Sequence, residues 1–301
     1  MAHLAEVEFE PRVAPSDSAR LSAALQLDFE CDALTGKTVL AGSVQQPPLR
    51  IIRAFSIDGG ATLVHIHNVS GGLLGGDHLH LSARVGPRAR AQLTTTGATR
   101  VYRPRPAALP SVQENEFRIA EDGLLEYVPD ALIPYAGVRF RQRTSIQLGP
   151  GAGLFWWEIV APGREARGEV FRYERLELKT DVEALGRPVA AENVKLEPQQ
   201  RDVTSRALLG PYRYFATFYI CRVGLSPTRW IKIEQQLRDL AGRLTRTGQV
   251  LWGVSLLAAE GLAVRCVAIH GCDVPQGLFA IWRAAKTALY ECEPIQPRKV
   301  Y

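Results

Sequence analysis

The chain has 301 residues, 46% of them hydrophobic and 22% charged, with a net charge of +5 at pH 7. That composition excludes disorder as the main state. The 26 glycines and 19 prolines fall short of a low-complexity or collagen-like chain but suit many short strands joined by turns. Lys and Arg form no run longer than two, so the mild basicity supplies no tract of the kind that binds nucleic acid.

The first residues carry acids where a secretory signal would carry cations and an apolar stretch. The longest apolar stretch, residues 251–269, is broken by Glu260 and Arg265, too soon for a spanning helix. A cytoplasmic chain without a membrane segment is expected. Five cysteines, Cys31, Cys221, Cys266, Cys272 and Cys292, are an odd number without a Cys-x-x-Cys pair. They read as free, mostly buried thiols in a reducing compartment.

Residues 1–20, polar and holding Pro11 and Pro15, read as a flexible arm, and residues 21–301 as a single β-rich domain. From Lys37 onward short strand-like segments follow one another: 37–44, 49–57, 61–67, 78–85, 90–103 and 111–119. The series goes on with 124–128, 138–148, 154–160, 172–182, 212–222, 249–257 and 262–269. Alternation is clean at Leu79, Leu81, Ala83 and Val85, with His78, His80, Ser82 and Arg84 on the other face. About fifteen such segments, punctuated by turn residues, predict one extended β architecture.

Two helices are expected in the C-terminal half. Ser226 is a suitable N-cap with Pro227 at the first helical position. Trp230, Ile233, Leu237, Leu240 and Leu244 then form an apolar stripe over about 18 residues. A second stripe, Leu278, Ile281, Trp282, Ala285 and Leu289, follows Pro275. Helices do not alternate with strands, which argues against a doubly wound α/β sheet.

The most informative stretch is His65 to His80. Its centre, Gly71-Gly72-Leu73-Leu74-Gly75-Gly76-Asp77, predicts a sharp turn or a close backbone approach. No Gly-Lys-Ser/Thr follows, so it is not a phosphate loop. Its spacing also differs from the dinucleotide fingerprint. Asp77 either bonds nearby backbone N–H groups or serves the function. His65 and His67, and likewise His78 and His80, share a strand face at about 7 Å. If the two strands were neighbours, four imidazoles could gather for nickel, zinc or copper. The alternative is polar residues on a solvated sheet face. Cys266, His270 and Cys272 offer a second soft-ligand cluster or, more simply, core cysteines. Glu126 and Glu158, beside Tyr127, Trp156 and Trp157, allow a paired-carboxylate carbohydrate site or ordinary core strands.

Taken together, the motifs resemble the UreD (UreH) family of urease accessory proteins. The resemblance runs from about Leu27 to Tyr301. It rests on Gly36-Lys37-Thr38-Val39-Leu40, Pro48-Leu49-Arg50, the glycine loop with Asp77, and Leu93-Thr94-Thr95-Thr96-Gly97-Ala98-Thr99-Arg100-Val101-Tyr102-Arg103. It continues in Leu125-Glu126-Tyr127-Val128-Pro129-Asp130, Ile133-Pro134-Tyr135, Trp157-Glu158-Ile159, Pro162-Gly163-Arg164, Gly168-Glu169 and Pro297-Arg298-Lys299-Val300-Tyr301. Two departures blur the subgroup. Val69-Ser70 stands where members often carry a proline pair, and Tyr127-Val128 where many carry a bulky aromatic before Pro129.

The resemblance implies a mainly β fold, a β-helix-like stack of sheets with two helices. It also implies a non-catalytic scaffold that works with UreF-like and UreG-like partners on apo-urease. No tightly bound cofactor is implied, only transient Ni2+ on an internal path. Asp77, Glu126, Asp130, Glu158 and Glu169 are the candidates for that path, each equally readable as a buried, hydrogen-bonded carboxylate. The competing readings are a carbohydrate-active β-helix enzyme and a metal-free β-rich interaction protein.

Overall fold

A computed structural model describes residues 22–105 and 109–297; the expected arm over residues 1–20 lies outside them. Among the described residues the strands are, in chain order, β1 (Ser22–Cys31), β2 (Thr38–Gln45), β3 (Leu49–Ile57), β4 (Ala61–Asn68), β5 (His78–Val85), β6 (Arg90–Thr95), β7 (Thr99–Val101), β8 (Ser111–Ile119) and β9 (Leu124–Tyr127). They continue as β10 (Leu132–Pro134), β11 (Arg139–Leu148), β12 (Gly153–Val160), β13 (Arg175–Ala184), β14 (Arg187–Leu196) and β15 (Tyr214–Arg222). Helix α1 (Pro227–Leu244), β16 (Val250–Leu256), β17 (Gly261–Ala268) and helix α2 (Asp273–Tyr290) complete the order.

From β4 to β13 the chain winds as a coil. Each turn lays one strand in each of two facing sheets, so neighbours within a sheet run parallel. In the first sheet the register passes from His78 to Val112 to Arg141 to Glu177 along β5, β8, β11 and β13. In the second, β4, β6, β9 and β12 form the matching parallel run. Antiparallel strands close the ends. The first sheet has the order β14-β13-β11-β8-β5-β1-β2, and the main path of the second is β16-β17-β15-β12-β9-β6-β4-β3. The β-helix-like stack and its two late helices are therefore present.

Alternation in the strands makes two apolar layers. Leu27, Leu81, Phe117, Ile146, Leu154 and Trp156 point between the sheets. Phe155, Trp157, Phe218 and Ile220 point to the other side of the second sheet, where the helices cover them. The adjacent tryptophans divide accordingly. Trp156 stacks on Tyr219 with centroids 5.8 Å apart, while Trp157 meets Trp282 edge-on at 5.7 Å. Apolar burial of this extent is the main stabilising term.

Helix α1 begins at the expected cap, where Ser226 Oγ accepts the Arg229 N–H. Helix α2 starts two residues before Pro275, which occupies its first turn and interrupts no hydrogen bond there. Among the described residues no helix is long and apolar enough to cross a membrane.

Candidate functional site

The glycine loop is built for close approach. Leu73 N–H donates to the Arg100 carbonyl at 2.8 Å, and Tyr102 N–H returns to Leu73 at 2.8 Å. A Cβ on Gly72 would lie 2.4 Å from that Arg100 oxygen, and Gly71 holds a φ of +78°. Tyr102 Oη donates to the Gly71 carbonyl, and Ser70 Oγ to that of Gly72. Opposite stands the Thr96-Gly97-Ala98 turn, which breaks the expected continuous strand at 90–103 into β6 and β7. Loop and turn frame the mouth of a 220 Å³ cavity that also reaches Gln113 and Tyr127.

A smaller cavity adjoins it. Thr99, Gln113 and Tyr127 also line this one, of about 30 Å³, together with Asp130, Gln142, Trp156 and Glu158. This space lies between the sheets, at the inward faces of β8 and β11 on one side and β9 and β12 on the other. It has room for about one or two waters. Its polarity is unusual for an inter-sheet core. Gln142 Nε2 donates to Glu158 Oε1, and Asn115 Nδ2 to Thr144 Oγ1 at 3.1 Å. Asp130 N–H donates to Thr95 Oγ1 at 2.9 Å. Trp156 Nε1, buried, has no protein acceptor. Burial pushes the Glu158 carboxyl up to about 7, less a contribution from the Gln142 hydrogen bond and aided by the negative charge of Glu192. Among the described residues no lysine or arginine forms an ion pair with Glu158.

The other candidate carboxylates stand elsewhere. Glu126 faces the opposite side of its sheet, under helix α2. Lys286 Nζ lies 2.5 Å from Glu126 Oε1, and Trp282 Nε1 donates to Oε2 at 2.8 Å. Burial pushes this carboxyl up, while the lysine and the indole pull it back. Asp77 Oδ2 accepts the Leu74 N–H at 2.8 Å and so closes the glycine loop; burial raises its carboxyl. Glu169 is held by Arg164 Nε at 2.8 Å and Arg103 Nη2 at 3.2 Å, with Ala136 N–H as a further donor. The Arg164 hydrogen bond brings it down to about 2.

The histidine pairs are not brought together. His65 and His67 lie on β4 in the second sheet, and His78 and His80 on β5 in the first. Chain neighbours here alternate between sheets, so the two strands do not pair. His78 Nε2 lies 3.1 Å from Glu114 Oε2 on the exposed face. Cys266 is buried under the helices, and its thiol is pushed up to about 12 by burial. Among the described residues no three His, Cys, Asp or Glu side chains group to hold a metal ion. Glu126 and Glu158 occupy opposite faces of one sheet, so they cannot flank one glycosidic bond as a carboxylate pair must.

Sequence reasoning passed over Gln113, Asn115, Gln142, Thr144 and Thr180. A signal for them existed: each sits at an inward phase of a strand whose flanking inward positions include apolar residues such as Phe117, Phe140, Ile146 and Val182.

The glycine loop, the Leu-Thr-Thr strand, the Glu-Tyr-Val-Pro-Asp segment and the Trp-Glu-Ile strand all border one or other of these two cavities. The family model of the UreD urease accessory protein matches residues 21–301. A urease accessory protein UreD of Herpetosiphon aurantiacus is 42% identical over 282 residues, covering 94% of this chain and 97% of that one. Those of Cenarchaeum symbiosum and Pseudomonas fluorescens are each 31% identical, over 79% and 83% of this chain and 83% and 85% of their own. The chain belongs to the UreD family of urease accessory proteins.

Proposed function

We propose that the chain serves urease maturation as a non-catalytic scaffold that passes a nickel ion between its two sheets toward apo-urease. UreF-like and UreG-like proteins are its partners in this reading, and the complex works in the cytoplasm. The observation that carries it is a pair of adjoining cavities that share Thr99, Gln113 and Tyr127: one bordered by the glycine loop, the other small and lined by Glu158, Asp130 and Gln142 between the sheets.

The chemistry suits transfer rather than storage. A space for about one or two waters cannot admit a fully hydrated ion, so part of the hydration shell must be exchanged for protein oxygens. Carboxylate and amide oxygens are hard ligands, which hold nickel more weakly than thiolate or imidazole would. Glu158 trades its proton for the ion, since a carboxyl near 7 is poised between the two. The ion thereby supplies the positive partner that Glu158 lacks among the described residues.

Deleting the gene in a urease-positive host tests this directly. Urease should become inactive and nickel-poor. Restoring the chain should recover it, and the chain should copurify with its accessory partners and urease. Normal urease in the deletion strain would end the reading.

A further inference from the structure

The second sheet loses its helical cover toward its β3 edge. Among the described residues, none of the apolar residues packed under the helices comes from β3 or β4. Strand pairing sets Phe55 beside Leu63 and Arg50 beside His67. This face is turned away from the interior that Val64 and Ile66 help to fill. It bears a 730 Å³ groove whose lining includes Ile52, Phe55, Ile57 and Leu63. Phe55 is 37% exposed and Ile52 80%, on a strand that ends its sheet. Apolar side chains gathered at a surface in this way mark a place where something docks.

The C-terminal segment runs into that groove. After α2, Gln92 Nε2 donates to the Ile295 carbonyl at 2.7 Å, which pins the segment over β6. Ile295 and Gln296 line the groove, and Pro297, the last described residue, is buried. Arg298, Lys299, Val300 and Tyr301 follow. Extended, these four residues reach about 13 Å. The strands they must cross, β4 and β3, are spaced about 4.8 Å apart. Arg298 and Lys299 can lay their stems along the groove wall with their charges in water. Val300 and Tyr301 then supply the apolar surface that Ile52 and Phe55 lack. Residues 1–21, by contrast, join the structure at Ser22 in the other sheet.

We propose that the groove on the outer face of β3 and β4 is the dock of the chain's own residues 298–301, with Val300 and Tyr301 against Ile52, Phe55 and Leu63. The segment acts as a strap that ties the end of α2 to the edge of the second sheet. It also shields an apolar edge that would otherwise invite association with another chain. This dock does not depend on any ion passing between the sheets.

Carboxypeptidase digestion of the full-length chain, followed by mass spectrometry, tests it. Ile52→Ser with Phe55→Ser should speed the release of Tyr301 about tenfold, because cleavage follows the undocked population. Ile52→Ser alone, at a side chain already exposed, should act in the same direction. Ile231→Ser, at an exposed apolar residue of α1, should leave the rate unchanged. In the reciprocal test, Val300→Ser with Tyr301→Ser should raise the binding of an apolar fluorescent dye to the folded chain, and Val7→Ser with Phe9→Ser should not. Release no faster in the groove variants, or a rise that Ile231→Ser matches, would overturn the proposal. So would dye binding that follows the Val7 and Phe9 change, or that the Val300 and Tyr301 change leaves unaltered. Protection of Tyr301 that is lost on dilution would place a second copy in the groove and overturn it as well.

Discussion

Glu126 and Glu158 sit on neighbouring strands of one sheet and face opposite ways. Under helix α2, Glu126 meets a lysine and an indole N–H, and its charge is matched within the chain. Between the sheets, Glu158 meets an amide and a small cavity. The same residue type thus does two jobs. One pins a helix to a sheet; the other forms no ion pair with a lysine or arginine among the described residues, and in the proposed reading a passing cation supplies that charge. A buried carboxylate in a motif says little about function until its counter-charge is known.

The largest expected effect lies on the Glu126 side. Lys286→Ala or Glu126→Ala leaves an unpaired buried charge and should cost about 3–5 kcal/mol, read as a lower urea midpoint. Replacing both with apolar residues of similar size should recover most of that loss. If the single variants were as stable as the parent, the pinning role would be wrong.

Gly72→Ala should cost about 1–3 kcal/mol, the range for forced overpacking, because its Cβ would meet the Arg100 carbonyl at 2.4 Å. The same urea titration reads it, and urease activation should fall as the mouth of the passage distorts.

On the Glu158 side the expected signature is in pH. The folded chain keeps that proton up to about 7, whereas an ordinary carboxyl releases it near 4.5. In this window the folded state binds more protons than the unfolded one, so Glu158 makes stability fall as pH rises. The expected loss is of order 2–3 kcal/mol between the two values. Glu158→Gln should flatten that slope without lowering stability. Nickel uptake should move the other way, strengthening as pH rises through about 7.

The smallest effect belongs to the histidines. Replacing His65, His67, His78 and His80 together should leave urease activation within about twofold of the parent, because the pairs lie in different sheets. A loss greater than tenfold would restore them as ligands.

Much of the fold was legible because inward and outward residues alternate, and because Ser226-Pro227 is a strong helix start. Three strands were missed: the three-residue β10, and, for opposite reasons, β1 and β14. β1 carries clean alternation at Ala23, Leu25, Leu27 and Phe29 but lies before the segment where the reading of strands began. β14 is an edge strand with Pro188 and mixed polarity, and edge strands need no apolar face of their own. The site was half legible. Glu158 and Asp130 were named from motifs, but which face each carboxylate takes is decided by strand register. The separation of the histidine pairs follows from the winding of the coil, in which consecutive strands enter different sheets. Spacing along a chain cannot show that.

The most direct test uses urease matured with the complete set of accessory proteins, this chain carrying Glu158→Gln. Metal analysis of the purified urease should find it nickel-poor, while the variant chain remains folded and still copurifies with its partners. Urease with its full nickel content under those conditions would contradict the account.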